Sequence, residues 1–164
     1  MKKVIVIGCP GSGKTTFARE LCRKSGLPLI HLDAIWHRAD RSHISREEFD
    51  GHLGEILAAD TWILDGNYSR TLERRLAACD TVFLFDLPTE VCVEGAIARL
   101  GRSREDLPWT DVELDPHLEE EIRGFAKEQL PRIYDLLDRY REGRTVVVFH
   151  GRAEADGFLE RSWG

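Results

Sequence analysis

A glycine-rich segment that directly follows the first apolar run most constrains how this chain can fold. Residues 8–15 read G-C-P-G-S-G-K-T and match the pattern G-x-x-x-x-G-K-[ST] at every fixed position. The apolar run Val4–Ile7 precedes the segment, and a helix-period pattern with Phe17 and Leu21 follows it. Glycines let the backbone turn its N–H groups toward a phosphate, and the start of a helix adds unpaired N–H groups. The segment therefore predicts a strand, a phosphate-binding loop and a helix in succession.

The same segment predicts a site for ATP with Mg²⁺. The Lys14 ammonium is expected to reach the β- and γ-phosphates, and the Thr15 hydroxyl is expected to ligate Mg²⁺. A second acid is needed near the metal, and Asp65, which ends the apolar run W-I-L-D, is the predicted one, acting through water. Asp86, which ends the run F-L-F-D, is the competing candidate. The predicted nucleotide-binding residues of this segment are Gly8, Cys9, Pro10, Gly11, Ser12, Gly13, Lys14, Thr15 and Thr16.

Apolar runs alternate with segments of helical period, which predicts an α/β fold. The strand-like runs are residues 2–7, 28–32, 61–65, 81–86 and 144–149. Ser45 and Glu48 form a capping-box pattern at the start of one helix, and Pro131 is expected to kink or split the helix predicted over 118–140. Continuous apolar strands indicate a parallel sheet covered on both faces, hence a three-layer domain with five strands.

Length and charge exclude several classes of protein. The 164 residues suffice for about one domain, 1–164, and no run approaches the roughly 18 apolar residues of a membrane span. The net charge of −6 argues against direct nucleic-acid binding. No secretory signal follows the N-terminus, and the four cysteines form no C-x-x-C pair. We expect a cytoplasmic protein with free thiols, as a monomer or a weak dimer.

The stretch 101–116 has no regular period. It contains two prolines, and eight acidic residues with no Lys or Arg lie between Glu105 and Glu121. An irregular stretch of this length inside a compact domain is more often a mobile functional loop than a connector. We expect a lid at 101–116.

A second motif resembles a known family. The sequence D-G-N-Y-S-R-T at residues 65–71 is similar to the D-G-F-P-R-T signature of adenylate kinases, with one residue more before the arginine. Together with H-L-D at 31–33 and the run 62–72, it resembles a family of small P-loop proteins known as DNA topology modulation proteins or adenylate-kinase-related kinases. The resemblance is most specific over 4–86 and implies the nucleoside-monophosphate-kinase fold, with strand order 2-3-1-4-5.

The resemblance implies roles for several side chains on the acceptor side. Arg70 matches the signature arginine that holds the acceptor's phosphate. Apart from the resemblance, Asp33 ends the second predicted strand and could serve as the base or the orienting acid for an acceptor hydroxyl, or instead cap a helix or lie in a turn. Trp36 could line the acceptor pocket or simply pack. Arg74 and Arg75 are expected on a solvated helix face.

It also implies arginines in the lid. Arg99, Arg102 and Arg104 would close onto the transferring phosphoryl group, or else form only a basic helix end. The chain departs from the family after Arg104, where an acidic run follows. It also has Leu130 where the relatives carry an arginine before the helix proline, so Arg123 or Arg132 could substitute for that arginine. Arg152, after the last strand, could stack on the adenine.

These residues predict a Mg²⁺-dependent phosphotransferase that moves the γ-phosphoryl group of ATP to a nucleotide or another small molecule. The alternative is a P-loop NTPase or a nucleotide-sensing regulatory protein without kinase activity. A phosphate acceptor needs arginines and a hydroxyl acceptor needs a base. The chain offers both Arg70 and Asp33, so the sequence leaves the acceptor class open.

Overall fold

A computed structural model describes residues 1–163 as a five-stranded parallel sheet with helices on both faces. The strands are β1 (Lys3–Gly8), β2 (Leu29–His31), β3 (Trp62–Asp65), β4 (Thr81–Phe85) and β5 (Thr145–Phe149). Their order is β2-β3-β1-β4-β5, which confirms the predicted topology. The helices are α1 (Lys14–Ser25), α2 (Leu32–Trp36), α3 (Arg46–Ala58), α4 (Leu72–Ala78), α5 (Thr89–Ala98), α6 (Pro116–Glu128), α7 (Leu130–Arg139) and α8 (Arg152–Trp163).

The central strand β1 places the glycine-rich loop at the carboxyl edge of the sheet. Val6 pairs with Asp65 on one side, and Gly8 pairs with Phe85 on the other. Gly8 has a φ of +152°, and a Cβ there would lie 2.6 Å from the Phe85 backbone oxygen. Only glycine fits this close approach without strain. The loop therefore begins between the ends of β3 and β4.

Local sequence signals correctly predicted two helix boundaries. The Ser45 hydroxyl accepts a hydrogen bond from the Glu48 backbone N–H at 3.1 Å, so the predicted N-cap of α3 is confirmed. The helix predicted over 118–140 is split, as expected from Pro131. The break lies between α6 and α7, and Pro131 lies in the first turn of α7. Backbone N–H groups in the first turn of a helix make no hydrogen bond within the helix, so proline is tolerated there.

The second strand is shorter than predicted. The structure ends β2 at His31, which pairs with the last residue of β3, Asp65. Because β2 lies at the sheet edge and its neighbour ends there, the chain turns directly into the short helix α2. Asp33 therefore lies in the first turn of α2 rather than at the end of a strand.

The segment between α5 and α6 contains no helix or strand, in agreement with its irregular sequence, although Pro116 already belongs to α6. Among the described residues, no helix is long and apolar enough to cross a membrane.

Candidate functional site

The glycine-rich loop is held in place from three sides. Gly11 has a φ of +83°, and a Cβ there would lie 2.0 Å from the Cys92 carbonyl oxygen of α5. The Asn67 amide donates to the Gly8 carbonyl at 2.7 Å and accepts from the Gly8 N–H at 3.0 Å. The Arg152 guanidinium donates to the carbonyl oxygens of Gly11 and Ser12, at 2.8 and 3.4 Å. Arg152, predicted to stack on a base, thus engages the carbonyl groups of the loop.

Thr15 and Asp65 meet beside the loop. The Thr15 hydroxyl donates to Asp65 Oδ2 at 2.8 Å, and His31 Nδ1 lies 2.8 Å from the same oxygen. Asp65 is 4% exposed, and its other oxygen, Oδ1, is buried without a hydrogen-bond partner in residues 1–163. A buried carboxylate oxygen without a donor, next to a hydroxyl, suits a hard divalent cation such as Mg²⁺. These residues therefore fit the metal that the loop implies.

The competing acid, Asp86, lies elsewhere. Its Oδ2 accepts a hydrogen bond from the Tyr134 hydroxyl at 2.5 Å, and its backbone carbonyl lies 3.2 Å from His150 Nδ1. The structure brings Asp65, and not Asp86, to Thr15.

His31, for which the sequence predicted no role in the site, lies against the candidate metal site. Burial acts to lower the pKa of His31, but the hydrogen bond to Asp65 and the nearby Asp106 and Glu105 outweigh it and raise that pKa. The parallel pairing of His31 with Asp65 explains the contact, since paired residues at one strand edge share a face.

Two cavities meet at the loop. The larger, of about 490 Å³, is lined by Lys14, Thr15 and Asp65 and extends past Asp33 to aromatic side chains. The smaller, of about 190 Å³, lies between the loop, Thr16, Arg152 and the end of α5. Lys14, Thr15 and Arg99 line both cavities.

Asp33 and Tyr68 form a hydrogen-bonded pair in the wall of the larger cavity. The Tyr68 hydroxyl donates to Asp33 Oδ1 at 2.7 Å. Burial and the Asp33 carboxylate raise the pKa of Tyr68, so its phenol stays protonated and continues to donate. Trp36 and Trp109 also line this cavity.

The three predicted lid arginines have different surroundings. Arg99 is half-buried, and its buried Nε has no hydrogen-bond partner in residues 1–163; burial lowers its pKa. Arg104 donates to both oxygens of Asp106, at 3.0 and 2.6 Å. Arg102 is exposed and lines neither cavity.

The segment 101–116, predicted to form a lid, lies against the larger cavity. Asp106 is 2% exposed; burial acts to raise its pKa, but the hydrogen bonds from Arg104 outweigh this and lower it. The Trp109 ring contacts His37 edge-to-face at 5.0 Å, and the Arg41 guanidinium lies over the same ring at 5.0 Å. These contacts anchor a segment whose sequence offers little apolar surface.

The structure does not bring Arg70 to the larger cavity. Arg70 donates to both oxygens of Asp50, at 3.0 and 2.8 Å, and faces a separate groove. Arg123 pairs with Glu90 on the surface, and Arg132 donates to the Ser69 carbonyl. None of these three arginines lines either cavity.

Arg75 is fully buried, so its predicted position on a solvated helix face is wrong. Its guanidinium donates to the carbonyl oxygens of Gly66, Asn67 and Tyr68 and to the Thr71 hydroxyl. Arg75 thereby fixes the loop that carries Asn67 and Tyr68.

The chain is similar in sequence and in fold to known proteins. Residues 4–82 match the family described as AAA domain. The chain is similar to adenylate kinases of Mycobacterium bovis and Mycobacterium tuberculosis. The identity is 30% over an alignment length of 176, and the alignment covers 88% of this chain and 89% of the relative. Its fold is similar to a shikimate kinase from Bacteroides thetaiotaomicron, with a TM-score of 0.59, 14% identity and coverage of 97% and 94% of the two chains. It is also similar to a sugar kinase from a Janibacter species, with a TM-score of 0.57, 17% identity and coverage of 99% and 94%.

Proposed function

Because this chain belongs to the adenylate-kinase-related family of P-loop kinases, we propose that it transfers the γ-phosphoryl group of ATP to a small molecule in the presence of Mg²⁺. One observation carries the proposal. The two cavities share Lys14, Thr15 and Arg99, so a donor in one and an acceptor in the other would meet beside two cationic side chains. Phosphoryl transfer needs positioning and positive charge at this point.

The smaller cavity suits the donor. It lies on the glycine-rich loop, where Lys14 would neutralise charge on the β- and γ-phosphates. Arg152 holds the loop carbonyls on the same side, so the loop needs little rearrangement when ATP binds.

Thr15 and Asp65 would hold the metal. When bound, Mg²⁺ supplies positive charge to the phosphate oxygens. The Thr15 hydroxyl offers one oxygen ligand, and the buried Asp65 carboxylate offers another, directly or through water.

Arg99 would act on the transferring group. Its half-buried guanidinium lines both cavities and forms no ion pair within residues 1–163. A charged donor without a partner can bind the γ-phosphoryl oxygens without first breaking an ion pair. It therefore adds stabilisation that grows as charge develops during transfer.

Calorimetric titration with ATP and Mg²⁺ tests the donor site. Lys14→Ala removes a charge-assisted contact of about 1.5–3 kcal/mol, so we expect the affinity to fall about 10- to 100-fold. Lys24→Ala, at the opposite end of α1, is the matched control and should bind as the wild type does. Equal affinities for the two variants would contradict the assignment of the donor site.

A further inference from the structure

We infer that the acceptor is an uncharged ring that carries hydroxyl groups, such as a sugar or a nucleoside, and that Asp33 takes the proton of the attacking hydroxyl. The inference rests on the proposed kinase function and assigns the substrate class of the larger cavity. It departs from the phosphate acceptor that the signature arginine Arg70 implies.

The first observation is that the cationic side chains of the cavity are either paired with carboxylates, as Arg41 and Arg104 are, or shared with the proposed donor site, as Lys14 and Arg99 are. Arg104 is held on both oxygens of the buried Asp106, at 3.0 and 2.6 Å. Arg41 pairs with Asp111 at 3.5 Å. Among the arginines of residues 1–163 that line this cavity, Arg99 alone has no carboxylate partner, and it lies where the transferred phosphoryl group must pass.

The second observation is the position of Arg70. Its guanidinium is occupied by both oxygens of Asp50, and it faces a groove of about 180 Å³. Trp36 and Tyr68 line both this groove and the larger cavity, so they stand between the two. A phosphate in the larger cavity would not meet Arg70 in this arrangement.

The third observation is the excess of carboxyl groups. Asp33, Asp115 and Glu121 line the cavity and form no ion pair within the described part of the chain. Carboxylates repel a dianionic phosphate and accept hydrogen bonds from hydroxyl groups. Their number favours an acceptor with several hydroxyls over one with a phosphate.

The aromatic walls fit a ring. Trp36 and Trp109 contribute aromatic surface to the cavity wall. Such surfaces pack against a nucleobase or against the C–H face of a sugar, while the hydroxyl groups reach the carboxylates.

Asp33 is placed to act as the base. Tyr68 engages Oδ1 alone, and Oδ2 accepts no hydrogen bond from residues 1–163. In the proposed step, the acceptor oxygen forms a bond to the γ-phosphorus, and the bond from this phosphorus to the β,γ-bridging oxygen breaks. The electron pair leaves with ADP, and the hydroxyl proton moves to Asp33 Oδ2.

Matched acceptors test the substrate class with the wild-type protein. Adenosine, cytidine, glucose and ribose would each be compared with the 5′- or 6-phosphate of the same compound, by ADP formation above the rate without acceptor. We expect at least one uncharged compound to be used with a kcat/KM at least 10-fold above that of its phosphate. Preference for the phosphates, or no acceptor-dependent ADP from any uncharged compound, would overturn the inference. ATP affinity, measured separately by calorimetry, reports on the proposed donor site in either case.

Substitution of Asp33 tests the base. Asp33→Asn keeps an oxygen for the Tyr68 hydroxyl but cannot take a proton, so kcat should fall about 100-fold or more while ATP affinity stays unchanged. The matched control is Asp138→Asn, an exposed carboxylate on α7 outside the cavity. An unchanged kcat in Asp33→Asn, or a larger loss from Arg70→Ala than from Asp33→Asn, would overturn the assignment.

Discussion

Arg75→Met should destabilise the protein strongly, because the fully buried Arg75 guanidinium donates to three backbone carbonyls of one half-buried turn. Each buried polar group left without a partner costs about 1–3 kcal/mol. Part of this cost is offset because the substitution also removes a buried charge. Burial disfavours the charged form of the guanidinium and lowers the pKa of Arg75 to about 10. We therefore expect a net loss of about 2–4 kcal/mol. For a chain of this size, the melting temperature should fall by about 5–15 °C.

The neighbouring residue supplies the control. Arg74 is exposed and makes one hydrogen bond, to the Asp50 carbonyl, so Arg74→Met should change stability by no more than about 0.5 kcal/mol. Thermal unfolding followed by circular dichroism measures both variants. Because the turn carries Asn67, which binds the glycine-rich loop, Arg75→Met should also weaken ATP binding. Melting temperatures of the two variants within about 2 °C of each other would refute the reasoning.

Further substitutions probe the glycine-rich loop, the segment predicted to form a lid, and the metal site. A Cβ at Gly26 would meet no atom within 4 Å, so Gly26→Ala should cost only the left-handed backbone penalty of about 1–2 kcal/mol. Gly11→Ala carries the same penalty and also clashes with α5, so it should lower the melting temperature further and abolish ATP binding. Equal melting temperatures of the two variants would contradict this. Asp106→Asn should lower the free energy of unfolding by about 1–3 kcal/mol at neutral pH. The difference from the wild type should disappear as the pH falls below about 4 and passes through the lowered pKa of Asp106, where the wild-type carboxylate also loses its charge. Urea titrations at several pH values measure this. Asp65→Asn should impair Mg²⁺-dependent activity more than it impairs nucleotide binding without the metal. If Asp86→Asn shows this defect and Asp65→Asn does not, Asp86 rather than Asp65 is the metal-side acid.

The sequence predicted the parts of this molecule that depend on local pattern. The fixed spacing of the glycine-rich loop, the apolar strands and the Ser45 cap each determine structure within a few residues. The selection of Asp65 for the metal rested on its position at a strand end, and the structure places it on Thr15. The strand order came from the family resemblance and agrees with the structure.

Contacts between distant residues were not predictable in the same way. Arg70 and Asp50 are 20 positions apart, and their pairing depends on how α3 packs beside the turn that precedes α4. The burial of Arg75 had a signal, since it lies three residues after Leu72 and directly before Leu76, on the buried stripe of α4. Arg75 was nevertheless predicted on the solvated face of the helix, because an arginine is rarely buried without a carboxylate partner.

The fate of the γ-phosphate tests the central claim most directly. The protein would be incubated with [γ-³²P]ATP, Mg²⁺ and a pool of sugars and nucleosides, and the labelled products separated by thin-layer chromatography. We expect most of the transferred label to appear in an organic phosphate. Lys14→Ala should reduce the amount of this labelled product about 10-fold or more, whereas Lys24→Ala should form as much of it as the wild type. Release of all the label as inorganic phosphate, at a rate that the pool does not alter, would contradict the account and indicate an NTPase.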